Sequence, residues 1–346
     1  MNITVNTSSI SQFQLASRYL SHTFALPLCI VGILGNLLNI IVFIKLKNYK
    51  HNASSFYILC KTFYDLLALV LGLGLRVLDH SFQIDLSVKS RFWCRIRLAL
   101  LEFGVFNSLT CLCLQSIDAY FSSSPSVTLR RKSQIQTARY IIFAFACFWF
   151  CHQIPSVIFQ DLISIKGKPA CRTTSKHYSQ YRNYFVVIAF STIIPLIIIG
   201  IFGFLTYRQL HAADSDQHTV VVVHRRSARL SHLTKQITNM ILVQIMIVLC
   251  CETPFAVVQI YTCATKHISK SALQQAEEQL IQMVVVTCNY STFASSFYCY
   301  YVASKRFRKQ TIEVLTLCPW HRKNQPISSS SETTGNILNQ QLLTQI

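Results

Sequence analysis

Lys61 and Asp65, residues of opposite charge, stand one helical turn apart inside an apolar run. Residues four apart share a helix face, so these charges can meet. An ionisable side chain within a bilayer is costly and reads as functional by default. Lys61 has two readings: its ammonium pairs with Asp65 and neutralises it, or its stem carries the charge to the inner interface. Glu102 and Glu252 are further acids in apolar surroundings. Glu252 lies two residues before Pro254, which removes a backbone donor and bends a helix. A carboxylate there binds a basic group of a ligand, pairs internally, or sits neutral. Such groups suit charge pairing and ligand binding. The sequence offers no nucleophile–base pairing, glycine-rich phosphate loop or metal-ligand set, so no enzyme activity, cofactor or metal is expected.

The elements that must hold these residues are membrane helices. Of 346 residues, 51% are hydrophobic and 13% charged. That charged share is about half the average for soluble domains, and a soluble core of this size needs more polar cover. Lys and Arg number 32 against 13 Asp and Glu, a net charge of +19, but they cluster between long apolar runs. This is the layout of loops between spans, not of a nucleic-acid-binding face. Apolar runs fall at residues 23–45, 54–76, 95–121, 138–160, 184–207, 237–262 and 280–303. Each is near the ~20 residues a helix needs to cross ~30 Å of hydrocarbon. All seven are expected to be unbroken helices, because an open strand cannot satisfy its backbone in lipid.

Lys45, Lys47 and Lys50 follow the first run and only Arg18 precedes it. The positive-inside rule then places the N-terminus outside, in a multi-pass plasma-membrane protein. Residues 1–22 form a polar outer tail with glycosylation sequons at Asn2 and Asn6; it has no basic stretch leading into a short apolar one, so no cleaved signal is expected. Residues 23–303 form the transmembrane domain. Residues 304–318 read as an amphipathic helix on membrane lipid, ending at Cys318, a palmitoylation candidate. Residues 319–346 read as a disordered inner tail.

Most of the fourteen cysteines lie in apolar runs and act there as small hydrophobes. Cys94 and Cys171 instead fall on the oxidising side, and a disulfide between them is expected. It closes 76 intervening residues, worth roughly 4 kcal/mol in the chain-entropy description. Arg95, Arg97, Arg172, Lys176 and Arg182 make the outer face basic, which steers in an acidic ligand or a peptide carrying carboxylates.

Several short motifs follow in order, one or two to a helix. Gly35-Asn36 lies in the first, Asp65 in the second, and Ser108 ten residues before Asp118 in the third. Asp118-Ala119-Tyr120 occupies the place of an Asp-Arg-Tyr motif. Trp149 and Pro155 suit the fourth helix and Pro195 the fifth. Cys251-Glu252-Thr253-Pro254 stands at Cys-Trp-x-Pro, and Ser296-Phe297-Tyr298-Cys299-Tyr300 at Asn-Pro-x-x-Tyr, with Phe307 seven residues later. Over residues 23–318 the chain resembles the rhodopsin-like (class A) G-protein-coupled receptors, and within them a divergent member similar to invertebrate neuropeptide receptors. It departs from the pattern at Ala119, Glu252, Ser296 and Phe297.

The resemblance implies an all-α bundle of seven transmembrane helices with a short amphipathic eighth. It implies an extracellular ligand, expected to be a peptide, held by Leu101, Glu102, Glu252, Arg97 and Arg172. Leu101 holds the place where amine receptors carry an aspartate, which argues against a monoamine. Asp65, Lys61, Ser108, Asp118, Ala119, Tyr120, Pro254, Ser296 and Tyr300 would govern activation and coupling to a heterotrimeric G protein. In the family the aspartate at Asp65 binds sodium; here the Lys61 ammonium is expected to replace it. Ser328–Ser331 with Thr333 and Thr334 would recruit arrestin once phosphorylated. A light receptor is excluded, because residues 280–303 hold no lysine for a retinal Schiff base. Two alternatives stay open: a receptor-like protein with weak or no G-protein coupling, given Ala119, and a small transporter or channel using Lys61, Asp65, Glu102 and Glu252.

Overall fold

The computed structural model describes residues 2–165, 167–216, 225–266 and 268–316. Cys318 and the cluster Ser328–Thr334 lie outside the described residues. Six helices are long and apolar enough to cross a membrane: Ile10–Leu46, Ala53–Phe82, Arg91–Ser123, Ile135–Phe159, Lys176–Ala212 and Gln236–Ala264. These are the first to sixth helices below. The seventh is the segmented stretch Ala272–Asn289, Ser291–Ala294 and Ser296–Ala303. Its first turns carry Gln274, Gln275, Glu277 and Glu278, so it is the least apolar of the set. A further helix runs Lys305–Thr316.

Local chemistry sets the ends. The Asn52 side chain accepts from the Ser55 amide and starts the second helix. Ser271 and Gln274 form a reciprocal cap at the start of the seventh, satisfying amides that have no partner within the helix. Three findings add to or correct the sequence reading. Residues Asn2–Leu20 are helical and run through a wide turn, Ser21–Ala25, into the first span. The helices are not all unbroken: wide π turns occupy Leu69–Gly74 and Arg182–Ile193. Such turns absorb an extra residue in the ladder; in the fifth helix the stretch ends beside Pro195, which cannot donate. The connection after the fourth helix is a hairpin of Gln160–Ile165 and Lys168–Thr173, turning at Gly167 with φ of 78°.

The third helix is the axis of the bundle, packed against the second, fourth, fifth and sixth. Phe106 stacks on Trp149 of the fourth at 4.6 Å, and the Trp149 indole donates to Thr110 Oγ1 at 2.9 Å. Leu112, Ala119, Ile199, Ile241 and Ile245 close a buried cluster of the third, fifth and sixth helices. The first helix sits close to the seventh because Gly32 has no side chain: a Cβ there would lie 2.7 Å from the Ala294 Cβ. Asn36 Nδ2 uses that proximity, donating to the Gly32 and Phe293 carbonyls, each at 2.9 Å. Phe143, Phe150, Ile197, Ile201, Phe204 and Val257 are exposed, as side chains bathed in lipid can be.

The expected disulfide joins Cys94, fully buried at the start of the third helix, to Cys171 on the second hairpin strand, with Cα atoms 5.7 Å apart. Asp161, on the first strand, accepts from Arg91 Nε at 2.7 Å and Arg95 Nη2 at 3.1 Å. Above all the Arg91 hydrogen bond holds its carboxyl down to about 2, so this second latch stays charged until the medium is strongly acidic. The hairpin is therefore tied to the third helix twice. Cys94→Ser and Cys171→Ser should each lower surface display and the thermal midpoint. The double variant should be no worse than either single, since the sulfurs act as one unit; comparing the three melts checks this, and additive losses would contradict it.

Candidate functional site

The polar centre of the bundle grows from the pair read in the sequence. Lys61 Nζ lies 2.5 Å from Asp65 Oδ2, and the two side chains are 1% and 0% exposed. The snorkelling alternative is thus not adopted. Asp65 Oδ1 accepts from the Ser108 hydroxyl of the third helix. Ser296, in the seventh, donates to Asp65 Oδ2 at 3.2 Å and accepts from Lys61 Nζ at 3.2 Å and from Gln244 Nε2 at 2.9 Å. That uses the one donor and two acceptor positions a hydroxyl has. Gln244 Oε1 then accepts from the Tyr300 hydroxyl at 2.5 Å, and Tyr300 accepts from Gln115 Nε2 at 3.5 Å. Four helices meet in this chain of bonds. Gln244 escaped sequence reasoning, because one glutamine in an apolar run has no short-range signal.

Asp118 is also buried, with its oxygens taken by Ser54 and Ser133. Ala119, beside it, faces apolar side chains and is 1% exposed. The Tyr120 ring lies 5.7 Å from that of Phe202 on the fifth helix. Pro254 sits inside the helix Arg225–Ala264.

A cavity of about 440 Å³ opens between the third, fifth, sixth and seventh helices at the end that carries the disulfide. Glu252 is 4% exposed and is the one acid among the described residues lining it; Asn289 lies beside it. Arg76, Arg182 and Lys266 line it nearer the mouth. A second hollow, of about 530 Å³, shares Arg76, Gln259 and Val286 with the first. One wall of it is the N-terminal helix, through Phe13, Gln14, Ser17 and Arg18; His80 joins them, and no acid lines it among the described residues.

The expected ligand-binding residues separate. Glu252 reaches the cavity. Glu102 is buried but bound to Arg182 Nε at 2.5 Å. Leu101 and Arg97 are half-buried on the third helix, and Arg172 is exposed on the hairpin opposite Asp161; none of the three lines either hollow. Asn2 and Asn6 fall in the N-terminal helix. The basic face is also less free than its composition suggests: Arg91 and Arg95 serve Asp161, Arg182 serves Glu102, and Lys270 meets Glu278 at 2.6 Å.

Removing one member of a buried ion pair strands the other, at about 3–5 kcal/mol. Lys61→Met should therefore lower the thermal midpoint strongly, and Lys61→Met with Asp65→Asn should recover most of the loss. Exchanging sodium for potassium at equal ionic strength should leave the natural protein's midpoint unchanged and make that of Lys61→Met sodium-dependent. A natural protein that already responds to sodium would show that the ammonium does not fill the site.

The comparisons with known proteins agree with this arrangement. The profile of the family described as 7 transmembrane receptor (rhodopsin family) matches residues 35–302. The chain is similar to neuromedin-U receptor 2 of Rattus norvegicus, 25% identical over 315 residues, covering 86% of this chain and 76% of the relative. It is similar to neuromedin-U receptor 2 of Mus musculus, 26% identical over 318 residues with the same coverage. With the profile spanning most of its length and every helix of the bundle in place, the chain belongs to the rhodopsin family of seven-transmembrane receptors.

Proposed function

We propose that this receptor binds an extracellular peptide in the cavity at its disulfide end and signals to a heterotrimeric G protein at the other. The observation that carries the reading is the pair of connected hollows, about 440 and 530 Å³, walled by four helices, part of the second and the N-terminal helix. An elongated ligand fits them better than a compact amine, and Leu101 supplies no acid for one. Phe13, Gln14, Ser17 and Arg18, within the tail expected to be glycosylated, help wall the second hollow. Arg18, Arg76 and His80 suit a carboxylate of the peptide there. The similarity to receptors named for the peptide neuromedin U points the same way. Plasma-membrane location with the N-terminus outside follows from the lysines after the first span. Ligand binding favours one bundle conformation and shifts the population toward it, and the phosphorylated Ser328–Thr334 segment recruits arrestin.

One observation favours the weak-coupling alternative. Ala119 stands where the family resemblance places an arginine, and it is packed among Ile199, Ile241 and Ile245. A charged contact to the G protein, worth about 1.5–3 kcal/mol where present, is therefore missing. The main test is a peptide-library screen on cells expressing the chain, read by nucleotide exchange and arrestin recruitment together. Ion flux in liposomes, with no exchange, would instead support the transporter or channel.

An arginine at position 119 cannot stay comfortably in that apolar cluster, because burying an unpaired guanidinium costs several kcal/mol. It gains hydration when the sixth helix moves away from the third. Ala119→Arg should therefore raise ligand-independent nucleotide exchange several-fold and lower the thermal midpoint. Unchanged exchange in a well-expressed variant would show that Ala119 does not limit coupling.

A further inference from the structure

Glu252 and Glu102 are both buried acids near the cavity, and they are in opposite states. Glu102 has its counter-charge, Arg182, built in. Glu252, 4% exposed, has no ion pair among the described residues, and its carboxylate faces the cavity. Asn289, an uncharged amide, lies beside it on the same floor and is the polar neighbour it has there. A buried acid is ordinarily paired with a counter-charge, so one facing a cavity without it is a candidate for a role. The floor therefore holds an acid with an amide neighbour and no counter-charge among the described residues, in a hollow large enough to admit a side chain.

We propose that Glu252 is the anchor for a cationic group, an amine or guanidinium, on the inward end of the ligand. The proposal rests on the peptide-receptor reading and names the chemistry that end must carry. Arg76 and Lys266 at the mouth oppose an entering cation, but both are exposed and act through water, which screens them strongly. Glu252 acts in a drier place, where the same charge is felt several times more strongly. The balance favours a cation at the floor and an anion at the mouth, so the ligand should carry its charges in that order. Glu102 does not compete, since it does not line the cavity and its charge is already shared with Arg182.

The test uses the purified full chain and three small probes: N-acetyl-arginine amide, its neutral isostere N-acetyl-citrulline amide, and N-acetyl-glutamate amide. Each is titrated while the thermal midpoint is followed. The arginine probe should reach half-saturation at a concentration at least tenfold lower than the citrulline probe, and the glutamate probe should be weakest at this site. Glu252→Gln should reduce the arginine-to-citrulline ratio to near one. Glu278→Gln, on a different depression at the helix ends, should leave the ratio intact. Equal protection by arginine and citrulline, or by none of the three, overturns the proposal, as does a ratio preserved in Glu252→Gln. The comparison on the natural protein needs no variant, so a Glu252→Gln chain that fails to fold does not shelter the idea. If no library peptide activates the receptor while the arginine preference holds, the peptide reading alone fails. A cation-free peptide agonist equally potent on Glu252→Gln overturns the anchor alone.

Discussion

No water competes for polar groups between membrane helices, so each such group must find its partner in the protein. The Lys61–Asp65 pair is the most demanding case, since two full charges sit there at 1% and 0% exposure. An ion pair alone does not repay that desolvation; the remaining donor and acceptor positions must be filled as well. Ser108 and Ser296 fill them, and Gln244, Tyr300 and Gln115 extend the chain outward from Ser296. The second, third, sixth and seventh helices are thus held in one register by the same few bonds. A change in that register has to break or exchange some of them, which makes the network a natural point for conformational control.

The departures from the family pattern fit one another. Ser296 replaces an asparagine, and its shorter side chain sits directly between the ammonium and Gln244. Lys61 brings a covalently attached positive charge to a place where the family uses a mobile one. On the far side of the bundle, an arginine is missing beside Asp118. The aspartate is satisfied instead by Ser54 and Ser133, and the vacated direction is closed by isoleucines around Ala119. At Asp118 and Ala119 the missing charged partner is matched by hydroxyls and by apolar packing, so this part of the core is filled while its means of switching changes.

How much of this was legible in the sequence follows from distance along the chain. The Lys61–Asp65 pair is a four-residue relation, and helical periodicity alone put it on one face. The seven spans rest on composition over about 20 residues and needed no long-range information. The disulfide needed only the side of the membrane for each cysteine. What escaped depends on distant contacts. Gln244 lies 52 residues from Ser296, and Arg182 lies 80 from Glu102, so neither pairing leaves a local trace. The N-terminal helix escaped because its residues are polar and of middling helix propensity, which is a weak prior beside packing against a neighbour. The π turns have no signature beyond a proline that only one of them has nearby.

The contrast between the two glutamates shows why burial alone does not identify a binding group. Both are under 10% exposed, and from the sequence both read as acids in apolar runs. The fifth helix settles the difference: its first turns bring Arg182 over the third helix and into contact with Glu102. Among the described residues, no base meets the sixth helix at the level of Glu252. Its neighbours there are Asn289, Phe255 and the cavity itself. An acid with a resident counter-ion contributes to the fold, because its desolvation has already been offset. An acid without one is relieved by a proton or by an incoming cation. A cation that reaches Glu252 therefore meets no resident counter-charge among the described residues, whereas one at Glu102 would share its carboxylate with Arg182.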